Sequence, residues 1–224
     1  MRKVAIIVAG GNGVRMGASV PKQFLKLKGK PVLYYTIKAF LDSYDDLDIV
    51  LVLPEEHIGS GQEIIDAYFD HRRIRITAGG RTRFHSVQQG LKMIEEECIV
   101  LVHDAVRCLV TPSLIERCCQ AVLEFGSAVP VVKVTDSIRK ISEEGSEVVD
   151  REELRAVQTP QAFYSKMIIP AFNIDFKDRF TDEATVLEAF GMNVHLVEGN
   201  EDNLKITKPV DLLIAEKFLD ERGG

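Results

Sequence analysis

No apolar run in this chain approaches the length needed to cross a bilayer, and no N-terminal stretch reads as a secretory h-region. A membrane partner is therefore not expected, and the expected location is cytoplasmic. None of the four cysteines forms a C-x-x-C pair, which argues against a zinc site or a redox couple. Cys98, Cys108, Cys118 and Cys119 read instead as buried or incidental thiols. Block charge is missing too: at a net charge of −6 the chain has no basic stripe, so no nucleic-acid partner is expected. There is no Ser–His–Asp order, no metal cluster of His and Cys, and no obvious nucleophile. An anionic substrate would have to be held by a local group of Arg and Lys against an acidic background.

What is present is concentrated near the start. Val4–Val8 is a continuous apolar run, as expected of a buried parallel strand. It leads directly into Ala9-Gly10-Gly11-Asn12-Gly13-Val14-Arg15-Met16-Gly17, with Pro21-Lys22-Gln23-Phe24 close behind. Glycines leaving a strand end let backbone N–H groups approach a phosphate, and Arg15 and Lys22 add two positive charges to the same loop. The dinucleotide fingerprint fails, because Met16 stands at its third glycine and no ribose acid follows. A P-loop fails as well, since Lys22 lies between Pro21 and Gln23. The loop reads as a polyphosphate cradle.

The 224 residues are 46% hydrophobic and 28% charged, with no internal repeat, low-complexity segment or linker. Strand-like and helix-like runs alternate. Val4–Val8, Asp48–Leu53, Arg73–Thr77, Cys98–Val102, Ala128–Val132 and Asn193–Val197 are expected strands. Val32–Leu41, Gln62–Phe69, Thr82–Glu96, Pro112–Phe125, Lys166–Phe172, Asp182–Phe190 and Val210–Glu221 are expected helices. This predicts a Rossmann-like, doubly wound α/β fold with a mostly parallel sheet flanked by helices. Alternation breaks over residues 133–158, where Ser137–Ile141 and Glu147–Val149 flank a turn, predicting a projecting β-hairpin arm. The expectation is one domain over 1–224, with the arm serving as a substrate flap or an oligomer contact.

Three further segments fall near predicted strand ends, where open α/β sheets bind ligands. Gly79-Gly80-Arg81-Thr82-Arg83-Phe84-His85-Ser86 reads either as a ligand loop or as a strand-to-helix turn with solvated charges. In His103-Asp104-Ala105-Val106-Arg107, Asp104 is placed to hold Mg²⁺ or a ribose hydroxyl, or to close the turn by pairing with Arg107. His103 reads as a packed, hydrogen-bonded histidine. Asn203-Leu204-Lys205-Ile206-Thr207 precedes the last helix, with Thr207 as its expected cap, and Thr181 reads as the cap of the helix at 182–190.

Taken in order, Gly11-x-Gly13-x-Arg15-Met16, Pro21-Lys22-Gln23, Gly79-Gly80, His103-Asp104-Ala105-x-Arg107, Thr159-Pro160-Gln161, Thr181-Asp182-Glu183 and Asp202-Asn203-Leu204-Lys205 make the chain resemble the 2-C-methyl-D-erythritol 4-phosphate cytidylyltransferase family over nearly its whole length. The resemblance implies a homodimeric, Mg²⁺-dependent enzyme of isoprenoid precursor synthesis that uses CTP and methylerythritol phosphate and releases pyrophosphate. It assigns transition-state stabilisation to Arg15 and Lys22. Nucleotide contacts fall to Ala9, Gly10, Gly11, Gly13, Gly80 and Ser86. Asp104 would lie near the ribose, α-phosphate and metal. On the acceptor side stand Arg107, Thr181, Lys205 and Arg151, with Ser137 and Thr159 as further candidates. Arg151 would reach the partner's site through the arm. Arg81 stands where many relatives carry an acid, and Val106 and Cys108 replace an Ala and a Pro. The same motifs are similar to those of cytidylyltransferases acting on ribitol 5-phosphate, the nearest alternative; a non-catalytic nucleotide-binding regulator is a more distant one.

Overall fold

The computed structural model describes residues 1–10 and 20–222. Gly11, Gly13 and Arg15 of the first loop lie outside the described residues. The chain begins with β1 (Lys3–Val8), and a 3-10 turn at Lys22–Phe24 leads through a small ladder of β2 (Lys26–Leu27) and β3 (Lys30–Pro31) into α1 (Val32–Ser43). There follow β4 (Leu47–Leu53), α2 (Ile58–Tyr68), β5 (Ile74–Ala78), α3 (Arg83–Leu91), β6 (Ile99–Asp104), α4 (Pro112–Phe125) and β7 (Ser127–Lys133). A hairpin of β8 (Ile138–Ser142) and β9 (Gly145–Val149) comes next, then β10 (Arg155–Val157) and β11 (Gln161–Tyr164). The remainder is α5 (Ser165–Ala171), α6 (Glu183–Ala189), β12 (Leu196–Glu198) and α7 (Pro209–Arg222).

The sheet runs β5-β4-β1-β6-β11-β7, with β10 and β12 also paired to β7. β5, β4, β1 and β6 are mutually parallel, whereas β11 is antiparallel to both of its neighbours. Register fixes the working edge: Val8 lies opposite both Val52 and Asp104, and Ala78 lies opposite Leu53. The chain moves outward from β1 to β4 and β5, then crosses back through α3 to β6 on the other side of β1. The crevice between β1 and β6 is thus the topological switch point.

The central strands are buried on both faces, which is why they read as continuous apolar runs. Their period-two alternation divides them between two cores. Ala5, Ile7, Ile49, Leu51, Ile99 and Leu101 face α1, α2 and α4, where Leu33, Ile37, Phe40, Ile65, Leu114 and Val122 meet them. Val4, Ile6, Val50, Val52, Val100 and Val102 face α3, α5 and α6, against Phe84, Val87, Ile168 and Leu187. Gly90 permits the close approach of α3, since a Cβ there would come within 2.6 Å of Ile6. A third, smaller core joins Leu27, Val32, Cys108, Leu109, Ile206 and Ala215.

The expected α/β alternation is present, with differences at the margins. Helix α3 ends at Leu91 rather than Glu96: Met93 and Ile94 form tight backbone turns to Gly90 and Leu91, and three acids at 95–97 would oppose the negative end of a longer helix. Strand β11 was not expected, and it separates β6 from β7. Within the 133–158 stretch, Lys133 pairs with Arg155 and Val131 with Val157 in the main sheet, so the part that stands off is β8–β9. Thr181 is not the cap of α6; Asp182 is, with a reciprocal bond to Thr185. Nor does the Thr207 side chain accept from the last helix, because its hydroxyl and N–H both donate to Asp211. All four cysteines are buried and free, as expected.

Thr111 caps α4 by accepting from the Leu114 N–H at 3.3 Å, with Pro112 at the first helical position. It also accepts from Asn200 at 3.1 Å. Thr111→Ala is expected to lower unfolding stability by about 1 kcal/mol, read as a reduced denaturant midpoint at unchanged slope.

Candidate active site

The edge set by Val8, Val52 and Asp104 gathers two groups of residues. On the β1–β5 side, the buried Ser86 hydroxyl accepts from Gly80 N–H at 3.2 Å and donates to the Thr82 carbonyl at 3.0 Å. Glycine is required at 79 and 80, because a Cβ would come within 2.8 Å of Ser86 Oγ or 2.4 Å of His85. Gly10 faces the same serine, at 3.6 Å from a notional Cβ. Ala9, Gly10, Gly80 and Ser86 are therefore brought together as expected. Gln23, which sequence reasoning left without a role, is buried and donates to the Ala9 carbonyl at 2.7 Å, tying the Lys22 turn to the end of β1. Lys22 Nζ reaches the Thr207 carbonyl at 3.4 Å, in the segment that carries Lys205.

On the β6 side, Arg83, Asp104, Arg107, Thr159, Gln161, Thr181, Asp182 and Lys205 line one pocket. Asp104 leaves β6 with its carboxylate between cations: Arg83 Nε at 3.0 Å on Oδ1 and Lys205 Nζ at 2.7 Å on Oδ2. Arg107 Nε lies 4.0 Å from the same Oδ2 and is buried with no hydrogen-bond partner. Burial pushes the Asp104 carboxyl up, but Arg83, Lys205 and Arg107 more than offset it and hold it well below the usual carboxylate range. The expected pairing of Asp104 with Arg107 is present as a long contact, and Lys205 makes a closer one.

The turn is braced from beneath. Arg107 Nη1 donates to the Asn203 carbonyl at 2.7 Å, and buried Asn203 donates to the Thr159 carbonyl at 2.8 Å. Gln158 holds the 200–203 turn through its amide, donating to Asn200 at 2.8 Å. Thr159 Oγ1 accepts from Asp104 N–H at 3.1 Å and contacts His103 Nδ1 at 3.0 Å. The Arg107 carbonyl, 3.2 Å from Nε2, requires the proton there, so Thr159 donates to Nδ1. His103 is thus packed and hydrogen-bonded, as expected, and its burial favours the neutral form. Val106 and Cys108 pack into the third core, and Arg107 keeps its bond to Asn203.

Two residues exceeded their expected roles. Arg83 reaches Glu183 with both terminal nitrogens, at 2.5 and 3.1 Å, and Glu183 is fully buried. Arg83 lies in the segment expected to be either a ligand loop or a turn with solvated charges, and Glu183 in one expected to be a helix start. By contrast, Arg151 and Ser137 are not brought to this pocket. Arg151 is exposed and donates to the Thr135 carbonyl at 2.6 Å, and Ser137 is exposed on the arm. Arg81 is exposed as well.

Glycine turns and a cation cluster on one edge of an open parallel sheet define an α/β enzyme for polyanionic, nucleotide-like substrates. A family model described as IspD, 2-C-methyl-D-erythritol 4-phosphate cytidylyltransferase, matches residues 3–221, and the chain belongs to that family. A protein of that name from Bacteroides thetaiotaomicron is 43% identical over 98% of this chain and 100% of its own length. Another from Clostridium perfringens is 41% identical, covering 96% of this chain and 98% of its own. Among solved structures, 4-diphosphocytidyl-2C-methyl-D-erythritol synthase from Anaerococcus prevotii superposes with a TM-score of 0.84 at 27% identity, covering 98% of this chain and 96% of that one. The Thermus thermophilus cytidylyltransferase gives 0.77 at 30% identity, covering 98% and 100%.

Burial pushes the His103 imidazole down to about 3, against 6.5 for a free imidazole. Below about 6.5 the unfolded chain takes up a proton that the folded chain refuses, so stability is complete above that pH and falls as pH drops toward 3. The slope is expected to be near zero at about pH 7.5 and to approach about 1.4 kcal/mol per pH unit between about pH 5.5 and 4.5, read from urea midpoints. His103→Gln is expected to flatten it; an identical slope in that variant assigns the effect elsewhere.

Proposed function

We propose that the chain transfers CMP from CTP to 2-C-methyl-D-erythritol 4-phosphate, giving 4-diphosphocytidyl-2-C-methyl-D-erythritol and pyrophosphate. The observation that carries this reading is the Asp104 cluster, which gathers Lys205 and Arg107 at the strand end opposite Val8, in a chain of this family. An oxygen of the acceptor phosphate attacks the α-phosphorus in line. The bond from that phosphorus to the bridging oxygen breaks, and pyrophosphate leaves with the electron pair. Nothing covalent is asked of the protein; its task is positioning and charge stabilisation.

Lys22 and Arg15 stabilise the charge that builds on the transferring phosphorus and the departing pyrophosphate. Gly11 and Gly13 complete the phosphate cradle; with Arg15 they lie outside the described residues. Ala9, Gly10, Gly80 and Ser86 hold the cytosine, with the Ser86 hydroxyl fixing the Gly79-Gly80 turn. Lys205 and Thr181 bind the acceptor phosphate, and unpartnered Arg107 Nε is a donor suited to the same anion. Thr159 acts through its bonds to Asp104 and His103.

Among the described residues, no group of three or more His, Cys, Asp or Glu could hold a metal. Asp104 offers one carboxylate at the pocket, and Mg²⁺ commonly takes one or two carboxylates and completes its shell with water and phosphate oxygens. Arg83 and Lys205 already occupy Oδ1 and Oδ2 of Asp104, so an ion arriving with the triphosphate would have to displace Lys205 from Oδ2; when bound it would neutralise and orient the phosphates. Asp104 would hold it.

Arg151, which follows the β8–β9 arm, serves a partner's site, and Ser137 is a further acceptor-side residue. Ile141 and Val148, 76% and 73% exposed, lie diagonally on one face of the arm and support its being covered by a second copy. No helix among the described residues is long and apolar enough to cross a membrane, and a cytoplasmic homodimer fits this reading.

Pyrophosphate release with CTP and Mg²⁺, run in parallel on methylerythritol 4-phosphate and ribitol 5-phosphate, tests the assignment. Preference for the first is expected; preference for the second would keep the nucleotide site and overturn the acceptor. Lys22→Ala is expected to lower turnover at least about 100-fold with the fold intact. Mixing Arg151→Ala with Lys22→Ala protein should restore about a quarter of native activity, because half the dimers are mixed and each rebuilds one site. No recovery on mixing would place Arg151 in its own chain's site.

A further inference from the structure

The Arg83–Glu183 pair joins parts of the site that the sequence keeps 100 residues apart. Arg83 is the first residue of α3, immediately after the Gly79-Gly80 turn and three residues before Ser86. Glu183 is the first residue of α6, next to Thr181 and Asp182. Arg83 stands between two carboxylates, with Nε bonded to Asp104 at 3.0 Å and the fork occupied by Glu183.

The placement of Arg83 runs against local preference. A cation in the first turn of a helix faces the positive end of the helix dipole, where an acid is favoured. Glu183 is fully buried, a position where a carboxylate is kept only when paired. Such local conflicts concentrate where position matters more than stability. The chemistry explains the choice of arginine: its planar fork grips a carboxylate with two nitrogens and leaves Nε, fixed in the same plane, to bond a second one. Lysine, a point charge, cannot hold both.

Building on the reaction proposed above, we propose that Arg83 and Glu183 are positioning residues for the transfer step, locking the Asp104 carboxylate and linking the nucleotide-side loop to the acceptor-side loop. Neither touches the reacting atoms. With Arg83 Nε fixed on Oδ1, Oδ2 is left facing Lys205 and Arg107. Freed from Arg83, Oδ1 also becomes available to Lys205 and Arg107, and the carboxylate can turn and carry both cations out of line with the acceptor phosphate. The effect falls on alignment, not on attraction, because the pair contributes no net charge.

The test is the double variant Arg83→Met/Glu183→Leu, which replaces the buried pair with apolar side chains of similar volume, an exchange that buried ion pairs often tolerate. The single variant Arg83→Lys retains the charge and loses the fork. Three quantities are measured on each: thermal midpoint, CTP affinity by calorimetry, and kcat and KM for pyrophosphate release. The expected result is a folded protein with CTP affinity within about threefold of native and kcat lowered about 100-fold, the scale of a 1 Å misplacement. Arg83→Lys should show the same division between kcat and CTP affinity. Native kcat in the folded double variant, or native kcat in Arg83→Lys should the double variant fail to fold, would overturn the proposal. So would a parallel loss of CTP affinity. If the native protein itself releases no pyrophosphate with either acceptor, the reaction assignment fails, and the inference, which depends on it, fails separately from any behaviour of the variants.

Discussion

A carboxylate buried at the end of a central strand cannot remain charged alone, and Asp104 is such a group. Its burial calls in Arg83 from α3, Lys205 from the segment before α7, and Arg107 from the turn that follows β6. Each cation then needs its own support. Glu183 answers Arg83, the Asn203 carbonyl answers Arg107, and Thr159 satisfies the Asp104 N–H. Much of the architecture around the pocket consists of these second and third partners. Compensating one buried ion thus organises five separate stretches of chain.

The sheet makes this possible by aligning strand ends. Parallel pairing of β1 with β4 and β6 places Val8, Val52 and Asp104 side by side, so every connection leaving that edge opens onto the same crevice. The two-core alternation explains how a strand can be rigid and functional together. Ala5 and Ile7 anchor β1 to one face, while Val4, Ile6 and Val8 anchor it to the other. The loop that begins at Ala9 therefore starts from a backbone that cannot pivot.

The sequence made the repeating units of the fold readable where a periodic signal existed. β1, β4 and β6 are apolar runs, α4 carries Thr111 and Pro112 at its start, and both matched what their composition implied. β11 escaped because its four residues stand between Pro160 and Ser165 without an alternating pattern. Of the described site residues, Lys205 and Asp104 were legible as isolated charges near strand ends, and their bond to each other was not. Arg83 and Glu183 were visible as letters only. Their partnership spans 100 residues, and local chemistry at a helix start gives ordinary reasons for an acid and none that single out its distant cation. Arg151 and Ser137 illustrate the opposite case, since the resemblance placed both on the acceptor side and the structure leaves them exposed away from the Asp104 pocket.

The third core has a wider meaning than its size suggests. Leu27 follows the Lys22 turn, Cys108 and Leu109 follow Arg107, and Ile206 follows Lys205, and all of them pack together against Val32 and Ala215. Three cation-bearing segments share one footing of aliphatic and thiol groups, set apart from the two cores that carry the sheet. Sequence drift in that footing would displace charges relative to one another before it threatened folding. Selection on those apolar positions would then act through turnover, and an alignment of relatives would record them as if they belonged to the chemistry.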